Sequence, residues 1–215
     1  MTEHSFPGYD VLAKRDTPSW NEATRRAIDK RLNVSREPHF FSPDEFRTLE
    51  AVCDRILPQP ADRAEPVPLA AYVDDKIANG QLDGYRYNNV PPQGEAWKIG
   101  LAALDHEARE RHGAPFHALP APSRDALLKD MQSGVLGGDH WRGMPPKRFF
   151  EKRVVHDVID AYYAHPTAWN EIGFGGPASP RGYVRLDANR RDPWEAAEGK
   201  PGQEERALME NKHVV

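Results

Sequence analysis

The stretch Lys147-Arg-Phe-Phe-Glu-Lys-Arg-Val-Val-His-Asp-Val-Ile-Asp-Ala-Tyr-Tyr-Ala164 decides the fold. Phe150, Val154, Val158, Ala161 and Tyr162 recur at spacings of three and four residues. Phe149, Val155, Ile159 and Tyr163 fill the neighbouring positions. Recurrence at that period is the mark of an amphipathic helix, and a stripe this wide is buried on much of its circumference. The pattern predicts the central helix of an all-α chain, closed by His165-Pro166.

Working outward, the clearest helix start is Phe41-Ser42-Pro43-Asp44-Glu45-Phe46. Ser42 is the N-cap, Pro43 suits the first helical position, and Glu45 closes a capping box. Phe41 and Phe46 are placed as a hydrophobic staple. Phe46, Leu49, Cys53, Ile56 and Leu57 then form a stripe, and Cys53 reads as a small core residue on it. Ser19-Trp20-Asn21-Glu22 has the form of a second capping box and predicts a polar, peripheral helix from Trp20 to Leu32. Pro68 opens a helix carrying Leu69, Tyr72, Val73 and Ile77, stopped at Asn79-Gly80. Glu95 to His112 and Ser123 to Ser133 are the remaining two, each followed by glycine.

The 20 prolines in 215 residues agree with this partition. Proline is excluded from helix interiors and central strands. The gaps between prolines each hold one ordinary helix, never a long coiled coil or a run of about 18 apolar residues. Alternating strand patterns are missing. The expected fold is therefore all-α, about six helices in a compact irregular domain. An N-terminal arm (residues 1–39, with the peripheral helix) precedes it. The domain covers residues 40–195, ending in a Gly/Pro-rich loop region, and a charged tail, 196–215, follows.

Composition narrows function. The net charge of −4 offers no basic surface to nucleic acid. Leu, Ile, Val and Phe make up 41 of 215 residues, a modest core with arms of the kind a partner orders. A single cysteine, Cys53, excludes an internal disulfide and a four-thiolate metal or iron–sulfur site. Residues 1–18 lack an apolar signal segment, and Arg25-Arg26 is followed by Ala-Ile-Asp-Lys-Arg rather than the apolar run of a twin-arginine signal. The expectation is a cytoplasmic protein, or a periplasmic one if a partner carries the signal.

Two patterns invite chemistry. His156 and Asp160 lie four apart on the most apolar helix and share a face. With another histidine they could serve a metal-dependent enzyme. No His-Glu-x-x-His or paired Glu-x-x-His accompanies them, so a hydrogen-bonded histidine is the plainer reading. Gly173-Phe-Gly-Gly-Pro-Ala178 matches a dinucleotide fingerprint only superficially, because no strand precedes it and no helix follows. The wider segment Ile172-Gly-Phe-Gly-Gly-Pro-Ala-Ser-Pro-Arg-Gly-Tyr183 mixes glycines, which permit close backbone approach, with stiffening prolines. Phe174, Arg181 and Tyr183 are residue types enriched at interface hot spots. The segment reads as a shaped docking loop, with a loop folded back on its own helices as the alternative.

These residues resemble a known family, that of gluconate 2-dehydrogenase subunit 3. The resemblance rests on Phe40-Phe-Ser-Pro-Asp-Glu-Phe46 with Leu49-Glu-Ala-Val-Cys-Asp-Arg-Ile-Leu-Pro58, the Gly84-Tyr85 region, Leu127-Leu128 with Gln132-Ser133-Gly134, and Phe150 to Tyr163. His165-Pro166, Ala168-Trp169 and the Ile172–Tyr183 segment look like that family's closing signature. The resemblance covers about residues 40–195. It implies a small non-catalytic subunit with no cofactor of its own, accompanying a large FAD-dependent dehydrogenase of the glucose–methanol–choline type, sometimes with a cytochrome subunit. Such subunits help the flavin subunit mature. The expected docking residues are Ile172, Phe174, Gly175, Gly176, Pro177, Arg181, Gly182 and Tyr183, supported by Trp169.

Overall fold

The structure, a computed structural model, describes residues 5–63, 65–81, 83–85, 87–185, 187 and 190–213. Among them the chain forms eight helices and no strand. These are α1 (Glu22–Leu32), α2 (Pro43–Ile56), α3 (Leu69–Ala78), α4 (Gln93–His112) and α5 (Ala121–Ser133). α6 runs through Pro146–Phe149, a π-helical turn Phe150–Val154, and Val155–Ala164. α7 (Pro166–Ile172) and α8 (Glu204–Asn211) complete the set. The all-α expectation holds, with eight helices in place of about six. Among the described residues no helix is long and apolar enough to cross a membrane.

Local chemistry explains the boundaries. At α2 the capping box forms as expected, with Glu45 Oε2 accepting the Ser42 amide at 2.8 Å. α1 starts differently. Asn21, not Ser19, is its N-cap, and its Oδ1 accepts the Thr24 amide at 2.9 Å. Ser19 is buried instead, and its Oγ accepts from Arg181 at 3.0 Å. Pro166 does end α6, but it also begins α7, because proline suits a first helical position. His165 caps that helix through Nδ1, which accepts the Thr167 amide at 3.2 Å.

The chain divides into two units, residues 1–33 with 163–215, and residues 34–162. The boundaries drawn from sequence lay at 39/40 and 195/196. In the 34–162 unit the core is built from Leu49 and Val52 of α2, Trp97 and Leu104 of α4, Leu127 and Met131 of α5, and Phe149 and Val158 of α6, all buried. Trp97 and Phe149 meet edge to face with centroids 5.3 Å apart. That contact depends on Gly100, where a Cβ would sit 2.2 Å from the Phe149 ring. Asp74 of α3, buried, accepts the backbone amides of His39, Phe40 and Phe41 at 2.7, 3.0 and 2.9 Å, which fixes the chain just before α2.

The other unit has its own core of Tyr9, Val11, Trp20, Ile28, Trp169, Trp194 and Ala196. Here residues 196–211 depart from the charged tail expected from sequence. α8 packs through buried Ala207 and Asn211. Asn211 accepts the Ala197 amide at 2.7 Å and donates to Pro7 O at 2.8 Å and Ala197 O at 3.0 Å. Three bonds from one buried amide help fasten a helix in which only Ala207, Leu208 and Met209 are apolar.

Candidate functional site

α7 delivers the closing segment. Its last turn ends at Gly173, in the left-handed region at φ 65°, a conformation costly for any residue with a Cβ. The Phe174 amide then donates back to Trp169 O at 3.0 Å, and the two rings meet edge to face at 5.6 Å. From there the segment lies along residues 5–21 of its own unit. Ser179 exchanges backbone hydrogen bonds with Ser19 O (2.8 Å) and the Asn21 amide (2.7 Å) in a short parallel bridge.

Lys14 is the centre of that contact. It is fully buried, and its ammonium donates to Tyr9 Oη and to Gly175 O, both at 2.8 Å. It also lies 4.6 Å over the Trp194 ring. Burial pulls its pKa down to about 7; Glu195 opposes that shift and Arg181 adds to it. Tyr183 donates to Gly176 O at 2.6 Å and packs on Trp194 with centroids 4.5 Å apart. Burial first, then the charges of Glu195 and Asp192, push the Tyr183 phenol up to about 12.

The structure therefore places the expected docking residues in two groups. Trp169, Gly175 and Gly176 are buried, while Pro177, Arg181, Gly182 and Tyr183 are half-buried. Arg181 and Tyr183 bond within their own unit. Ile172 and Phe174 face outward, 49% and 44% exposed. Val184, 76% exposed, was not singled out from sequence. Lys14 and Trp194 were also missed as supports of the segment, and the Lys14–Gly175 contact joins residues 161 positions apart.

Gly176 shows how tightly the segment is seated. Its φ is 72°, and a Cβ there would meet Val11 Cγ2 at 2.9 Å and the Trp169 ring at 3.3 Å. Gly176→Ala is expected to cost about 2 kcal/mol, from the left-handed backbone and overpacking combined. Urea unfolding of the two proteins checks it.

The second constellation lies in the 34–162 unit. Asp83, His156, Asp157 and Asp160 bring one ligand-capable atom each within 4.8 Å of one another. The pair His156/Asp160 expected from sequence is real, with His156 Nδ1 at 3.3 Å from Asp160 Oδ2. Two cations share the cluster, however. Lys76 Nζ lies 2.8 Å from Asp83, 3.2 Å from Asp157 and 3.6 Å from Asp160. Arg153 lies 2.7 Å from Asp83 and 3.7 Å from Asp157. Burial works against the Asp83 charge, but hydrogen bonds from Lys76 and Arg153 outweigh it and hold the carboxyl below its usual range. Burial likewise disfavours the Lys76 charge, and Asp83 and Asp157 outweigh it, so Lys76 is raised. Asp157 also accepts the Trp97 indole N–H at 2.7 Å and the Gln93 amide at 3.1 Å. A metal ion here would have to displace a half-buried ammonium, so the arrangement reads as a compensated ion network. Cys53 is equally quiet, for it is buried and its thiol is pushed far up by burial.

Fold and site together define a small all-α protein with an internally compensated ion cluster and an apolar pair held outward on a braced loop. The family model for gluconate 2-dehydrogenase subunit 3 matches residues 43–176, more than half of the chain. The chain belongs to that family, which is named for a subunit of a dehydrogenase complex. No curated protein and no solved structure matches it. The match ends at Gly176, so Pro177–Tyr183 lie past its end, where the resemblance read from sequence had run to about residue 195.

Proposed function

We propose that the chain is a non-catalytic accessory subunit that binds, and stabilises or matures, a large FAD-dependent dehydrogenase of the glucose–methanol–choline type. The flavin and the sugar or alcohol substrate would belong to that partner, with a cytochrome subunit as a further member of the complex. Family membership supports the class of complex. The observation that carries the docking role is the pair Ile172 and Phe174, outward on a segment whose backbone is held from behind by Lys14, Ser19 and Tyr183. An apolar pair fixed before binding loses little entropy on docking. Arg181 and Tyr183 then act as braces of the loop.

Co-expression with the large subunit tests this reading. The double variant Ile172→Ser/Phe174→Ser is expected to retain at least about tenfold less flavoprotein on an affinity tag, as loss of a buried interface anchor does. Its helical circular dichroism should match the wild type. Equal retention by variant and wild type would overturn the docking assignment.

A further inference from the structure

A cavity of about 260 Å³ opens within the 34–162 unit. Tyr85, Tyr87, Val90, Pro91 and Pro92 form its apolar wall. The rings of Tyr85 and Tyr87 meet edge to face, with centroids 5.7 Å apart and planes at 88°. Tyr85 is 57% exposed, a large ring left facing solvent. Pro91 and Pro92 stiffen the wall, because each ring fixes its own φ.

The polar groups behind that wall are already committed. Asp83 is held by Lys76 at 2.8 Å and by Arg153 at 2.7 Å. Gln93 Nε2 donates to both oxygens of Asp157 at 3.1 Å. Gln93 Oε1 and Asp83 Oδ2 are closed off from solvent. Recognition is left to the apolar wall and to the charges beside it.

Those charges are of one sign. Arg148 and Lys152, four residues apart on α6, stand 5.5 and 5.6 Å from the centre of the Tyr87 ring. Both are half-buried, and among the described residues neither has a carboxylate partner. Neighbouring Lys147, by contrast, pairs with Glu151 at 3.9 Å. An aromatic face attracts a cation without cancelling its charge, so this side of the cavity favours an anion.

Together these features select an occupant. An N–H entering the cavity would lose its water and find no acceptor. Proline has no N–H and carries its apolar ring on the backbone itself. Proline-rich segments are extended before they bind, so docking costs them little order, and grooves lined by aromatic rings accept them. The volume lies below the roughly 300–1,000 Å³ of drug-sized sites, which suits one or two prolyl rings. The two unpaired cations call for an acidic residue next to those rings.

We propose that this cavity docks a proline-rich, acidic segment of a partner protein, with prolyl rings against Tyr85, Tyr87 and Pro91 and a neighbouring Asp or Glu on Arg148 and Lys152. The surface is distinct from the Ile172 and Phe174 pair, and its test does not involve the large flavoprotein.

The full chain is titrated with acetyl-Pro-Pro-Pro-Pro-Asp-Asp-amide, its all-alanine counterpart ending in Asp-Asp, and its proline counterpart ending in Lys-Lys. The ring signals of Tyr85 and Tyr87 are followed by NMR. The proline–aspartate peptide is expected to give saturable shifts and to bind about tenfold tighter than the alanine peptide, the scale of one good interface contact. It should bind about fivefold tighter than the lysine peptide, the scale of a surface ion pair. The double variant Arg148→Glu/Lys152→Glu should reverse the preference between aspartate and lysine. Tyr85→Ala, a change at an exposed position, should remove saturable binding and keep the helical circular dichroism, and it decides the matter if the double variant fails to fold. Absence of saturable shifts, equal binding of the proline and alanine peptides, equal binding of the aspartate and lysine peptides, or indifference to Tyr85→Ala would overturn the proposal.

Discussion

Asp157→Ala is expected to lower the stability of the 34–162 unit by about 3–5 kcal/mol, the cost of breaking a buried charge network from one side. Asp157 is 1% exposed and gathers contacts from three helices. Lys76 reaches it from α3, Gln93 and Trp97 from α4, and Arg153 from α6. Its removal leaves the Trp97 indole N–H, at 2.7 Å in the native fold, with no acceptor, and leaves Lys76 and Arg153 sharing Asp83, with only the half-exposed Asp160 beside Lys76. Asp157→Asn keeps the shape but turns an amide donor toward the donors of Trp97 and Gln93, so it should recover only part of the loss. Asp160 is the control. It sits 3.6 Å from Lys76 with its side chain half exposed, and Asp160→Ala should cost under about 1 kcal/mol. Urea unfolding of the three variants checks the ranking. A cost below about 1 kcal/mol for Asp157→Ala would show that the network does not hold the helices together.

The unit formed by residues 1–33 and 163–215 should become more stable as pH rises from about 7 toward 9.5. Burial of Lys14 lowers its pKa from 10.5 to about 7. Between those values the unfolded chain binds a proton that the folded chain does not, so stability increases with pH. Below pH 7 both states carry the proton, and the fold bears the full cost of a buried ammonium. The gain up to pH 9.5 is about 2–3 kcal/mol, allowing for some screening of the charge. The neutral amine still has two N–H donors for Tyr9 Oη and Gly175 O, so the loop keeps its anchor. Above pH 10 the sign reverses. Burial raises the phenol pKa of both Tyr9 and Tyr183, so only the unfolded chain releases those protons there. Thermal melts across pH 7–11 should pass through a maximum near pH 10, and Lys14→Met should abolish the rise below it.

What was legible in the sequence was what neighbours in the chain decide. The box at Ser42 and Glu45 closes within one turn, and the stripe from Phe149 to Tyr163 carries its own period, so α2 and α6 could be read directly. Where two residues competed for one role, the sequence left the outcome open. Ser19 and Asn21 both make good N-caps, and the decision fell to Arg181, which takes the Ser19 hydroxyl from 162 positions away. Pro166 both stops one helix and starts another, which hid α7. α8 was hidden because only Ala207 and Asn211 are buried on it, too few to show as an apolar stripe.

The closing segment follows the same logic. Its glycines and aromatics marked it as shaped, but its partners are Lys14 and Ser19, residues remote in sequence. Composition could not divide the braces, Gly175, Gly176, Arg181 and Tyr183, from the outward pair Ile172 and Phe174. The ion network behaves alike. His156 and Asp160 were visible at helical spacing, whereas Asp83 and Lys76 come from more than 70 positions away and change its meaning from ligand set to compensated cluster.

The most direct measurement of the account is purification of the tagged chain co-expressed with a candidate large flavoprotein, read by flavin absorbance and dye-coupled dehydrogenase activity. The expected result is a stable complex that carries both flavin and activity, while the isolated chain carries neither. Dehydrogenase turnover by the isolated chain, or a flavoprotein that matures and works equally well without it, would contradict the account.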